Sequence, residues 1–178
     1  VDETWVGTEP RLAQVNAATT QCDNASFGPP VTNALTRTFL FPRAELPDTF
    51  GLTETVGSLP ANRAVAFVEE IRRRMASCEE RNLGTEVTRV ATRSTASTDL
   101  SVWNLTVEIS DQQTITYLMG IARSGTSIAQ VGFTPTPDVR MAPGDFTTLV
   151  IRAQERLAQM PPARGGGSAP LPADRQQV

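Results

Sequence analysis

The stretch TEVTRVATRSTASTDLSVWNLTVEISDQQTITYLMGIARSGTSIAQVGFTP, residues 85 to 135, decides the fold. Four of its segments, 85–93, 100–109, 114–123 and 127–135, are rich in β-branched and apolar residues and read as strands. The connections STASTD, SDQQ and SGT between them are too short for the crossovers that parallel strands require, so an antiparallel meander is predicted. Period-two spacing puts Trp103, Leu105, Val107 and Ile109 on one face of the second segment and Asn104, Thr106 and Glu108 on the other. The first face is expected to be dry and the second wet.

Moving toward the N-terminus, PANRAVAFVEEIRRRMASCEERN (60–82) opens on proline and spaces Ala64, Phe67, Val68, Ile71, Met75 and Cys78 as one stripe of a 3.6-residue period. A helix is predicted there. The triplet Arg72–Arg74 fans over about 200° of its surface, beside glutamates that neutralise it, so a solvated face is expected rather than a phosphate site. Further upstream, TRTFLFP (36–42) and FGLTETVGSL (50–59) form a strand pair joined by RAELPDT. Residues 1–30 are irregular in pattern, with a short helix as one reading of PRLAQVNAA, and read as a lead-in segment docked on the core through Trp5 and Phe27. On the other side, the proline-punctuated PTPDVRMAPG leads into a second amphipathic helix at 145–160, with Gly144 or Asp145 as its cap. Residues 162–178 are rich in Pro, Gly and Ser and are expected to be disordered.

The element order predicts an α+β domain over 31–161: an antiparallel sheet of about six strands with two helices on one face. A chain of 178 residues with 39% hydrophobic and 20% charged residues suits one globular domain. A formal net charge of -3 gives no general attraction to nucleic acid or anionic lipid, so no nucleic-acid partner is expected. The chain opens on Val1, which reads as a mature product or an excised domain. Membrane contact is expected only through a segment outside the chain, since no apolar run reaches 18 residues.

The composition also restricts chemistry. All 16 basic residues are arginine and there is no histidine. The usual triads, imidazole metal sites, lysine Schiff bases and P-loops are excluded. Paired carboxylates are the one conventional catalytic route left. Glu69 with Glu70, Glu79 with Glu80, and Asp111 near Glu108 read better as surface charge. No enzymatic activity, cofactor or metal site is expected.

Two charged residues sit awkwardly. Arg37 shares strand parity with Phe39 and Phe41, and Glu54 with Phe50, Leu52 and Val56. They read either as an ion pair at the sheet margin or as ligand-binding residues in a cleft between sheet and lead-in segment. Only two cysteines exist, Cys22 and Cys78. As a small buried hydrophobe Cys78 explains itself, but Cys22 lies in the polar stretch TTQCDNAS, where a lone thiol is exposed and reactive. The favoured reading is a Cys22–Cys78 disulfide closing a loop of roughly 57 residues, which implies an oxidising compartment outside the cytoplasm.

The stretches RTFLFP, FGLTETVGSL, AFVEEIRRRMASCEERN, SVWNLTVEIS and LMGIARSGTSIAQVGFTP together resemble the PknH-like extracellular sensor domain family of actinobacteria, over roughly residues 20 to 160. That resemblance implies an extracytoplasmic cleft-bearing module in the bacterial cell envelope, one that binds a small ligand and has no activity of its own. Sensor domains on kinases in that family carry more than one disulfide, whereas two cysteines permit one here, so a lipoprotein or another membrane-tethered regulator is an equal expectation. The leading expectation is therefore a monomeric, non-enzymatic sensor or ligand-binding domain. The second is an envelope interaction domain that meets a regulatory protein through the wet face of Asn104, Thr106 and Glu108.

Overall fold

The computed structural model describes residues 5–13, 22, 34–40, 51–81, 84–110, 112–136 and 139–160. Within them the order is β1 (Val6–Gly7), β2 (Arg11–Leu12), β3 (Leu35–Leu40), β4 (Gly51–Ser58), α1 (Ala61–Ala76), α2 (Cys78–Arg81), β5 (Thr85–Ser94), β6 (Thr98–Ser110), β7 (Gln113–Ser124), β8 (Ser127–Thr134) and α3 (Pro143–Gln159). The fold is α+β. Its strands make one antiparallel sheet in the order β1-β3-β4-β8-β7-β6-β5, with β2 also pairing β3. The expected meander is β5 to β8, and the expected β3–β4 pair joins it through β8. The sheet has eight strands rather than about six because the lead-in adds two-residue strands at the β3 edge.

Local chemistry accounts for the tight connections. The β7–β8 hairpin closes with Ser124 opposite Ser127, and Gly125 adopts φ 58°, the left-handed turn conformation that glycine enters without steric penalty. The β5–β6 hairpin closes on a Thr95 N–H to Thr98 carbonyl bond of 2.8 Å. Helix α3 starts earlier than expected, with Pro143 in its first turn and Ala142 as the cap. Proline presets the helical φ and lacks an N–H that would be left without a partner there. The long helix expected over 60–82 is divided at Ser77, whose Oγ donates back to the Arg73 carbonyl at 3.2 Å, a bond that competes with helix propagation.

The helices lie on opposite faces of the sheet, correcting the one-face arrangement expected from the sequence. Ala64, Phe67, Val68, Ile71 and Met75 of α1 pack with Trp103, Leu105, Met119, Ile121 and Ile128. Phe146, Val150, Ala153 and Leu157 of α3 pack with Leu100, Val102, Leu118, Ala122, Ala129, Val131 and Phe133. The two sets alternate along each strand and therefore point to opposite sides. Each fully buried large side chain contributes about 1.5–3 kcal/mol, so two stocked faces give a three-layer molecule a core on each side of its sheet.

Cys22 and Cys78 form a disulfide, with Cα atoms 5.4 Å apart and a sequence separation of 56. Both are buried. The polar surroundings of Cys22 in sequence thus do not leave it exposed. In the chain-entropy picture a loop of this size stabilises by about 4 kcal/mol. Of the lead-in, residues 5–13 and Cys22 are described; the expected docking of Phe27 and the disorder expected for 162–178 lie outside the described residues.

Candidate functional site

Helix α3 covers only part of its face. Val150 stands over Gly120, where an added Cβ would strike its methyl groups. Further along, Gln154 Nε2 donates to the Asp99 carbonyl at 2.7 Å. The helix therefore runs toward the β5–β6 turn, and the opposite half of the β6–β7 hairpin projects past its start. Between that half and Pro135, Thr136, Arg140, Met141 and Pro143, which follow β8 in sequence, lies a cleft of about 410 Å³. Such a volume suits a small organic ligand.

The apolar side of the cleft comes from Leu118, Phe133, Met141 and Pro143. Trp5 packs edge-on against Phe133, with ring centroids 6.2 Å apart and planes at 72°, so the lead-in buttresses this lining. Its polar side comes from Asn104 and from Gln113, Thr114, Thr116 and Thr136. Arg140 is exposed and is the one charged residue among the described lining residues. A turn positions it: Thr136 N–H donates to the Val139 carbonyl at 3.1 Å, and Val139 N–H donates to Thr136 Oγ1 at 3.1 Å.

Asn104 is the exceptional group. It faces Thr88 on β5 and Leu118 on β7 in the sheet register, and its side-chain Oδ1 is buried without a hydrogen-bond partner among the described residues. An unsatisfied buried carbonyl costs about 1–3 kcal/mol, and such exceptions in a folded protein call for an explanation. The sequence places Asn104 on the wet face of its strand, yet gives no sign that it shares a cleft with Thr136, Arg140 and Met141.

Arg37 and Glu54, the expected ligand-binding pair, stand opposite one another in the β3–β4 register. Their strands are brought together, but neither residue lines the cleft. Arg37 Nε instead donates to the Thr8 carbonyl at 2.8 Å, and its guanidinium lies 5.4 Å from the Phe39 ring centroid. No Arg37–Glu54 contact occurs among the described ion pairs. Arg37 thus pins the lead-in to the sheet edge.

A second polar cluster occupies the α1 face. Asp99 Oδ2 accepts from Arg123 Nε at 2.5 Å, and Asp99 Oδ1 lies 3.2 Å from Arg72 Nη1. Ser94 Oγ donates to Asp99 Oδ1 at 2.7 Å and accepts from Arg72 Nη2 at 2.9 Å. Arg72 Nε also donates to Ser101 Oγ at 2.9 Å. Burial pushes the Asp99 carboxyl up, but hydrogen bonds from Ser94 and Arg123 and the charges of Arg123 and Arg72 outweigh it and hold the group below its ordinary value. The solvated face expected for Arg72–Arg74 is therefore corrected at Arg72, which reaches inward to this carboxylate. The expected surface role of the acids fits Glu69, bonded to Arg72, and Glu70, bonded to Arg73. Glu79 instead accepts the Val87 N–H at 2.7 Å, and Asp111 lies outside the described residues. The cluster is fully paired and turned into the core, which suits a structural role. No protein-family model, curated protein or solved structure matches this chain.

Proposed function

We propose that this chain is a non-enzymatic, extracytoplasmic sensor or ligand-binding domain of a membrane-tethered regulator or lipoprotein, with the cleft beside Asn104 as its ligand site. The observation that carries the reading is the pairing of an open, partly apolar cleft with a buried amide oxygen that lacks a partner among the described residues. Ligand sites combine an apolar lining with a few polar groups in this way. The Cys22–Cys78 disulfide favours a non-reducing compartment, and a bacterial envelope location agrees with the resemblance to the PknH-like sensor family. The lack of histidine and lysine supports binding over catalysis.

One observation favours a second reading, an envelope interaction domain. The cross-strand partners Val6 and Leu40 are exposed together on one side of the β1–β3 edge, and Leu12 and Leu35 on the other side at β2–β3; exposed apolar pairs at a sheet edge suit a contact surface. Thermal-shift screening with a library of small organic acids, amides and lipids separates the two. Saturable stabilisation that Thr116→Trp, at an exposed lining position, abolishes supports the cleft. Absence of any shift, with a protein partner cross-linked through the β3 edge, overturns it.

A further inference from the structure

The lining of the cleft restricts what can occupy it. No carboxylate is present among its described lining residues, and Arg140 is the single charge. A cationic ligand finds no counter-charge there. A polyanion finds one arginine and a largely apolar wall of Leu118, Phe133 and Met141. Arg140 forms no ion pair among the described residues, so its guanidinium is available to a carboxylate, the acceptor its planar fork fits best.

Asn104 adds the second restriction. Its Oδ1 is buried without a partner, and no hydrogen bond among the described residues holds its amide in one orientation. Rotation about the terminal torsion is inexpensive for asparagine, so the amide can turn its oxygen or its nitrogen to a ligand. The group that satisfies it best is one that both donates and accepts, such as an amide or a hydroxyl.

We infer that the cleft takes a small amphipathic organic monoanion: an apolar body on Leu118, Phe133 and Met141, an amide or hydroxyl on Asn104, and a carboxylate on Arg140. This rests on the cleft being a ligand site and goes beyond it by naming the class. N-acylated amino acids are the simplest molecules that combine all three parts.

Isothermal titration of the whole chain with three probes tests it: N-acetyl-L-phenylalanine, its carboxamide, and 3-phenylpropionate. The first is expected to bind at one site, with the carboxamide and 3-phenylpropionate each about tenfold weaker. Arg140→Gln, a change at an exposed position, should erase the preference for acid over carboxamide. Asn104→Leu should weaken N-acetyl-L-phenylalanine to the level of 3-phenylpropionate while leaving the latter unchanged. The proposal is overturned if N-acetyl-L-phenylalanine fails to bind, if the carboxamide binds as tightly as the acid, or if neither substitution alters the ranking. Saturable binding of uncharged compounds that Thr116→Trp abolishes, alongside any of those results, would reject the anion class while leaving the cleft as a ligand site.

Discussion

Asp99 keeps its charge where burial alone would remove it. Its side chain and that of Arg123 are 7% and 5% exposed, and removing one partner of such a pair leaves the other charge uncompensated. Asp99→Asn is expected to destabilise the protein by about 3–5 kcal/mol in urea unfolding. Because the folded-state carboxyl lies below its unfolded value, its contribution is complete above about pH 4 and is lost as the pH falls through the lower folded value. Stability measured from pH 7 to pH 3 should therefore show an acid-side slope that Asp99→Asn lacks. The sequence does not reveal this cluster, since Arg72, Asp99 and Arg123 come from three elements and no local spacing joins them. Asn104 is legible as a strand residue on the polar parity, whereas the residues that share its cleft, Thr136, Arg140 and Met141, lie beyond β8 in sequence.

Among the elements, the β5–β8 meander and both main helices follow from periodicity and turn residues alone. Placement of the helices does not. Apolar stripes on α1 and α3 say that each covers a sheet, but the side is set by strands that are apolar at both parities, as LMGIA and SIAQVGF are. That doubly apolar pattern was the available signal for helices on both faces. Two glycines in this region separate space from backbone conformation. Gly120→Ala would drive a methyl into Val150 and should destabilise by about 1–3 kcal/mol. Gly125→Ala meets no atom within 4 Å, so its penalty, about 1 kcal/mol, comes from the positive φ alone. Chemical denaturation of the two variants distinguishes packing strain from turn strain, and equal losses would contradict the close approach of α3 to β7.

Across the whole molecule, the lead-in is tied to the core by a covalent link as well as by the β1 and β2 pairings and the Arg37 side chain. The disulfide joins Cys22 to the buried end of the α1–α2 unit, and Arg37 holds Thr8 at the β3 edge. Reduction is expected to lower stability by about 4 kcal/mol, read as a shift of the urea midpoint between oxidised and reduced protein. The lead-in also reaches the cleft, where Trp5 packs edge-on against Phe133 of the lining. Amide-resolved NMR of the oxidised chain, titrated with a small-molecule fragment library, tests the ligand-site claim most directly. Saturable shifts confined to Asn104, Thr114–Leu118, Phe133, Thr136, Arg140 and Met141 are expected; shifts only along the β1–β3 edge, or none with any fragment, would contradict it.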